Sequence, residues 1–339
     1  MYGEFTVKYQ TPSFIEKKGV VLSKDDVPYD SALVFNAGVN RYQNGYVMLF
    51  RNDYGFCRKD FDDFYAGISD NTTPKTNIGA AYSKDGISWK VENEHVFELA
   101  DDTISRAYDP RMTQLEDGSF GVCFAIDSRV GVRGGIAVTT DMKNFDIKSI
   151  SVPDNRNMVL FPEKINGLYY RLERPFITGS PRFSVWMSSS PDLVHWGNSR
   201  IVLESRDIPF ANSKIGPAAP PVKTPQGWLT LFHAVEEQEE NFDSWCNHWK
   251  KCYYGGIMLL DLEDPSKIIA LAGRPLLVPE EEYELSGFRG GVIFPGGFIA
   301  EPDGTAKIYY GAADTVECLA VAEIKDLIDF CFEYNILEK

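Results

Sequence analysis

A glycine followed by an alternating apolar run that ends on a polar or charged residue recurs five times along this chain. The runs occupy residues 45–51, 118–127, 167–174, 227–233 and 304–314, and they end on Arg51, Asp127, Arg174, His233 and Asp314. Alternation with a period of two belongs to a strand with one face buried. A second β-like run follows each one, at 78–82, 135–138, 183–186, 255–259 and 319–322. After the first three, a polar turn closes on an aromatic residue, at Trp89, Phe145 and Trp196; residues 261–265 and 325–330 are looser copies of that turn.

Five copies of roughly 50–75 residues, each with several short strands and no long amphipathic helix, predict an all-β fold, a five-bladed β-propeller. Repetition about an axis leaves short, protected strand edges. Two separate β-sandwiches would need a divider, and no Pro/Ser-rich linker is present, so residues 1–339 are expected to form one propeller. Its inner strands end around a central channel, which would bring Arg51, Arg174, His233 and Asp314 together from equivalent places. Converging polar groups are costly to bury unless they bind something.

Composition narrows the function. The 339 residues are 44% hydrophobic, 24% charged and 13% aromatic, with a formal net charge of −15. That charge opposes nucleic acid or an anionic membrane as the main partner. Residues 1–5 carry no basic or apolar leader, and no run of about 18 apolar residues occurs. The six cysteines at 57, 123, 246, 252, 318 and 331 show no small-domain disulfide spacing, so a reduced, cytoplasmic protein is expected. Cys246, His248 and Cys252 are three soft ligands in seven residues. Their spacing fits no common zinc knuckle and no fourth ligand stands nearby, so loop packing is the expected role and no metal or organic cofactor is implied.

The chemistry concentrates in a few segments. Asp109, in Ala107-Tyr108-Asp109-Pro110-Arg111, is one acid, and Arg156, Arg174, Lys214 and His233 are cations that could jointly hold an oxyanion. Hydrolysis of a glycosidic bond normally takes two carboxylates. With phosphate as attacker the second carboxylate would be a liability, and Arg, Lys and His in its place would aim and neutralise the nucleophile. Taken singly, Asp109-Pro110 reads as the start of a turn, Arg111 as a surface cation, Lys214 as a loop cation and His233 as a core histidine; the set carries the functional reading. His95 and His195 read as structural.

In these segments the chain resembles the mannoside phosphorylases of glycoside hydrolase family 130. The similarity runs through Phe35-Asn36-Ala37, Arg51 and Asp53, Tyr108 to Arg111, Asn155-Arg156-Asn157, Arg174-Pro175, Lys214-Ile215-Gly216, His233 and Tyr309 to Thr315, nearly the whole chain in order. The resemblance implies a five-bladed propeller and inverting phosphorolysis of a β-mannoside to α-mannose 1-phosphate, with inorganic phosphate as a substrate. It implies Asp109 as the general acid, acting through the 3-hydroxyl of the bound mannose. Arg156, Arg174, Lys214 and His233 would hold phosphate, with Tyr254 in the same shell. Asn36, Arg51, Asp53, Tyr108 and Asp314 would contact the mannose. An acid of this kind needs its proton near neutrality, and Asp53 and Asp314 are placed to supply a flanking charge.

Two aromatic-rich stretches, 52–75 and 240–254, fit no family pattern and are expected to frame the side where the leaving sugar sits. Linkage and acceptor stay open between β-1,4 and β-1,2 mannosides, with glucose, N-acetylglucosamine or mannose as acceptor. Relatives often form dimers or larger rings, so a homo-oligomer is open too. The alternatives are an inverting β-mannosidase using water, a propeller that binds glycans without catalysis, and a furanosidase-type hydrolase built on Asp53, Asp109 and Asp314.

Overall fold

The computed structural model describes residues 8–70, 74–179 and 183–337. The reading of residues 1–5 and the part of the first aromatic-rich stretch at 71–73 fall outside them. Five antiparallel sheets form the blades of a β-propeller. The first blade comprises Leu33–Tyr42, Gly45–Tyr54, Lys75–Ser83 and Lys90–Val91, and the second Ile104–Gln114, Phe120–Ser128, Gly131–Thr139 and Asp146–Ile150. The third comprises Asn155–Leu160, Tyr169–Pro175, Val185–Ser190 and Gly197–Leu203. The fourth comprises Lys214–Pro217 and Val222–Thr224, both paired with Gly227–Glu237, then Lys251–Leu260 and Ile268–Leu271.

The fifth blade joins the two ends of the chain. Ile293–Ala300, Thr305–Ala312 and Val316–Glu323 are completed by Glu16–Leu22, which pairs antiparallel with the last of them, Val20 opposite Cys318. An outer edge left open here would expose unpaired amides; drawing the N-terminal strand onto it closes the ring.

Neighbouring blades meet through their first strands, Leu33–Tyr42 packing against both Ile104–Gln114 and Ile293–Ala300. The five glycine-led runs are therefore the second strands, one step out from the axis, and not the innermost ones expected. Their polar ends still converge, because each is hydrogen-bonded to a first strand: Arg51 sits opposite Phe35, Arg174 opposite Arg156, and His233 opposite Gly216.

The first strands carry a repeated irregularity that the sequence pattern hid. Their register slips at Phe35/Gly38, Tyr108/Arg111, Arg156/Val159 and Pro295/Gly297. In three of these bulges a left-handed residue takes the kink: Asn36 (φ 53°), Asp109 (φ 54°) and Asn157 (φ 57°). Asn and Asp tolerate that conformation far better than other side chains, and a bulge re-aims the side chain it carries. Asn36, Asp109 and Asn157 thus occupy one structural position in three successive blades.

The turns obey one rule. Oδ1 of Asp85, Asp141, Asp192 and Asp261 accepts two successive backbone N–H groups beyond it, as Ile87 and Ser88 donate to Asp85. The fifth expected turn, 325–330, is instead inside the helix Ile324–Glu333. Leu327, Ile328, Phe330 and Cys331 are buried there, an i, i+3, i+4 stripe that a helix places on one face. The loop reading of 52–75 changes too: it holds the helix Arg58–Tyr65, whose Phe61 meets Phe56, Trp245 and Phe288 in one aromatic cluster. Cys252 faces the core between the third and fourth blades while Cys246 joins the Phe61 cluster, so these two thiols diverge. No helix among the described residues is long and apolar enough to cross a membrane.

Candidate active site

A cavity of about 330 Å³ opens where the bulged first strands meet the ends of the second strands. Of the residues that the sequence singles out, Asn36, Arg51, Tyr108, Asp109, Arg156, Arg174, Lys214, His233 and Asp314 line it.

Asp109 is held from one side. Its Oδ1 accepts from Asn36 Nδ2 at 3.0 Å and from Arg51 Nη1 at 3.2 Å, and no donor among the described residues reaches Oδ2. Beneath it Arg111 is buried rather than a surface cation. It donates from Nε to the Ala218 carbonyl at 2.9 Å and from Nη1 to the carbonyls of Asn36 and Pro110, both at 3.0 Å. One guanidinium thus ties two bulges together and fixes the angle between Asn36 and Asp109. Gly311 leaves the room: a Cβ there would lie 2.3 Å from Asn36 Oδ1.

The proton expected on Asp109 is not held there in the ligand-free protein. Burial pushes this carboxyl up, but the guanidiniums of Arg51 and Arg111 and the Asn36 amide outweigh it, and its pKa is lowered. Burial and the nearby Asp109 charge raise Asp314, against the pull of Arg289 and Arg51.

Asp53 does not reach the cavity. Its Oδ1 and Oδ2 accept from Arg51 Nε at 2.9 Å and Nη2 at 2.6 Å, and Thr76 Oγ1 donates to Oδ1 at 2.6 Å. Residues two apart in a strand share a face, so the bidentate pair is local, and Asp53 aims Arg51 from outside the cavity. The Phe35 and Tyr108 rings flank the same guanidinium at 4.5 and 4.9 Å.

Opposite lies the cationic wall. Arg174 and His233 are buried, and Nη1 of Arg174 is 3.0 Å from Nε2 of His233. Gly216 makes this approach possible, since a Cβ on it would sit 2.5 Å from His233 Cε1 and 3.1 Å from Arg174 Cδ. Nε of Arg156 and Nε of Arg174 are buried without a partner, and no carboxylate among the described residues pairs with Arg156, Arg174 or Lys214. Burial, with Arg156 beside it, pushes Arg174 down to about 9. Burial and the two arginines push Lys214 down to about 6. Burial and the neighbouring Arg174 and Lys214 hold His233 well below its ordinary range. Buried donors left without a carboxylate partner among the described residues have the chemistry to hold an anion.

Tyr254 is not part of that wall. It packs edge-on to Tyr9 and Phe210, and its hydroxyl donates to Glu236 Oε2 at 3.1 Å. Side chains alternate along Lys251–Leu260, so the adjacent Tyr253 lines the cavity and lies nearly parallel to His233, 6.1 Å between ring centres and 18° apart. Lys214 Nζ stands 5.1 Å from the Tyr253 ring centre.

Further lining residues went unassigned from sequence. Asp127 ends the second blade's glycine-led run, the place equivalent to Arg51 and Arg174, and this was the available signal. It accepts from Tyr108 Oη at 2.8 Å and Arg106 Nε at 2.8 Å, and Arg156 Nη1 donates to the same Tyr108 oxygen at 3.3 Å. Arg289 pairs with Asp314, Nη1 to Oδ2 at 2.9 Å. Asn157 lines the cavity with its Oδ1 buried and unpaired. The 240–254 stretch contributes Trp249, Lys251 and Tyr253, whereas none of the described residues between 52 and 75 lines the cavity.

The chain resembles known proteins over most of its length. The profile of glycoside hydrolase family 130, described as beta-1,4-mannooligosaccharide phosphorylase, matches residues 6–333. Beta-1,2-mannobiose phosphorylase of Listeria innocua is 35% identical over 245 residues, covering 72% of this chain and 65% of that protein, just under two thirds of its length. Beta-1,4-mannooligosaccharide phosphorylase of Ruminococcus albus is 33% identical over 324 residues, 91% of this chain and 88% of that one. The solved structure of the Listeria innocua beta-1,2-mannobiose phosphorylase with beta-1,2-mannobiose is similar at a TM-score of 0.76 and 27% identity, covering 95% of this chain and 94% of that one.

Proposed function

The chain belongs to glycoside hydrolase family 130, and from that premise we propose that it is a β-mannoside phosphorylase, releasing α-D-mannose 1-phosphate and a shortened acceptor by inverting attack of inorganic phosphate. The observation that carries this reading is the division of charge in the cavity. Arg156, Arg174 and Lys214 have no carboxylate partner among the described residues, while the lining carboxylates other than Asp109 are each bound to an arginine, Asp127 to Arg106 and Asp314 to Arg289. Hydrolysis needs a free base to activate water. An oxyanion nucleophile needs the unpaired cations that are present.

Asn36, Arg51 and Asp314 hold the terminal mannose, with Asp109 on the side of the scissile oxygen. Phosphate, gripped by Arg156, Arg174 and Lys214 and aimed by neutral His233, attacks C1 from the opposite face as the C1–O bond breaks. The proton of Asp109 passes through the mannose 3-hydroxyl to the leaving oxygen, and the Asp109 carboxylate remains. The ligand-free protein holds that carboxyl ionised; the charge of bound phosphate offsets the guanidiniums and raises the carboxyl towards its protonated form. All six cysteines are free thiols, which supports a reducing, cytoplasmic setting.

The test is mannose 1-phosphate release from β-1,2- and β-1,4-mannosides with and without phosphate. Phosphate-dependent release, reduced about 10³-fold in Asp109→Asn and strongly weakened in Lys214→Ala, is the expected result. Equal release of free mannose without phosphate would make the protein a hydrolase.

A further inference from the structure

The hairpin between Gly227–Glu237 and Lys251–Leu260 is drawn out over residues 238–250 and closed on itself, Gln238 N donating to Lys250 O at 2.7 Å and Phe242 N to Trp249 O at 2.9 Å. Trp245 anchors it in the Phe56, Phe61 and Phe288 cluster. Trp249 faces the other way, into the cavity.

Its indole is one rung of a column of flat groups. His233 and Tyr253 are diagonal neighbours across two paired strands, with ring planes 18° apart. Trp249 lies beside Tyr253 at 6.2 Å and 16°. The Arg289 guanidinium follows, 5.2 Å from the indole centre, and Arg289 is ion-paired with Asp314. Trp249 is fixed independently by Nε1, which donates to the Gly290 carbonyl at 2.9 Å. The column therefore runs from the wall assigned to phosphate to the carboxylate assigned to mannose.

We propose that Trp249 is a positioning residue that couples the two halves of the site, holding Tyr253 beside Lys214 and His233 at one end and Arg289 against Asp314 at the other. This rests on the phosphate and mannose assignments above. Coupling between two ligands is reciprocal, and a contiguous contact chain earns that role only through a measured coupling energy. The drawn-out hairpin thereby gains a function: it delivers one ring that neither strand could place.

Calorimetric titration of the full chain with inorganic phosphate and with mannose, each alone and in the presence of the other, tests this. The wild type is expected to bind each ligand about fivefold more tightly when the other is present. Trp249→Ala should bring that factor close to one, and Trp249→Phe, which keeps a flat ring in the column, should restore most of it. An unchanged factor in Trp249→Ala, or a loss that Trp249→Phe does not rescue and that follows the melting temperature, would overturn the proposal. If the wild type fails to bind phosphate, the phosphate assignment itself fails, and with it this inference.

Discussion

Arg174 Nη1 lies 3.0 Å from His233 Nε2, and this contact settles the charge of the imidazole. A guanidinium can only donate, so Nε2 must offer its lone pair and the ring proton sits on Nδ1, 3.2 Å from the Pro217 carbonyl. His233 is therefore a neutral ring that orients Arg174, and not the fourth cation its place in the sequence implied. Charge in the wall comes from Arg156 and Arg174, with Lys214 held in reserve.

Removing His233 should weaken phosphate binding without removing an ionisation. His233→Ala frees Arg174 from its aim and is expected to raise the phosphate KM about tenfold, the effect of losing one charge-assisted hydrogen bond. The pH–rate profile between about pH 6 and 9 should keep its shape, because the ring is uncharged throughout that window. Disappearance of a pKa near 6.5 in the variant would show that the histidine is charged after all.

Lys214 should take up a proton when phosphate binds. Its pKa of about 6 in the ligand-free protein comes from burial and from Arg174 and Arg156, and a bound dianion opposes both effects. At pH 8, where the free lysine is mostly neutral and phosphate is already a dianion, uptake should approach one proton per phosphate bound. At pH 5, where Lys214 is already charged, the lysine should contribute almost none. Calorimetry in buffers of different ionisation enthalpy measures this, and Lys214→Met should remove the lysine's proton from the pH 8 uptake, leaving only the share that Asp109 takes.

Much of this was legible in the chain because strand period and turn chemistry are local. The second strands alternate cleanly and announced five repeats, and Asp85, Asp141 and Asp192 announced the turns. The first strands did not, because bulges at Asn36, Asp109 and Asn157 break the period at the very residues that matter. Asp53 lies outside the cavity lining, which sequence cannot show, because Arg51 and Thr76 occupy its oxygens. The choice between Tyr253 and Tyr254 depends on strand parity, which the extension at 238–250 conceals. Trp249, in the fourth blade's hairpin, and Arg289, in the segment leading into the fifth blade, come together in a contact that no local pattern carries.

The two tyrosines should separate function from stability. Tyr253→Ala removes the ring between His233 and Trp249 and is expected to raise the phosphate KM severalfold while the protein stays folded. Tyr254→Phe deletes a hydroxyl bonded to Glu236 and should cost about 1 kcal/mol of stability, leaving kinetics unchanged. Steady-state kinetics and a denaturant melt on both variants check this; the reverse pattern would return Tyr254 to the phosphate shell.

Glu317 should set a pH limit on stability from beneath the site. It is fully buried, its Oε2 accepts from the Ala37 amide at 3.1 Å at the bulge that carries Asn36, and burial pushes it from 4.5 up to about 8. A folded pKa above the unfolded one means that stability is full below about pH 4.5 and is lost as pH rises towards 8, at about 1.4 kcal/mol per unit. Glu317→Gln keeps the acceptor for Ala37 and has nothing to ionise. Its unfolding free energy should match the wild type near pH 4, exceed it increasingly through pH 7, and level off above about pH 8, by an amount on the order of a few kcal/mol. A constant difference across that range would mean that Glu317 is ionised in the folded protein, and that the Asn36 bulge rests on a buried ion pair with Arg111.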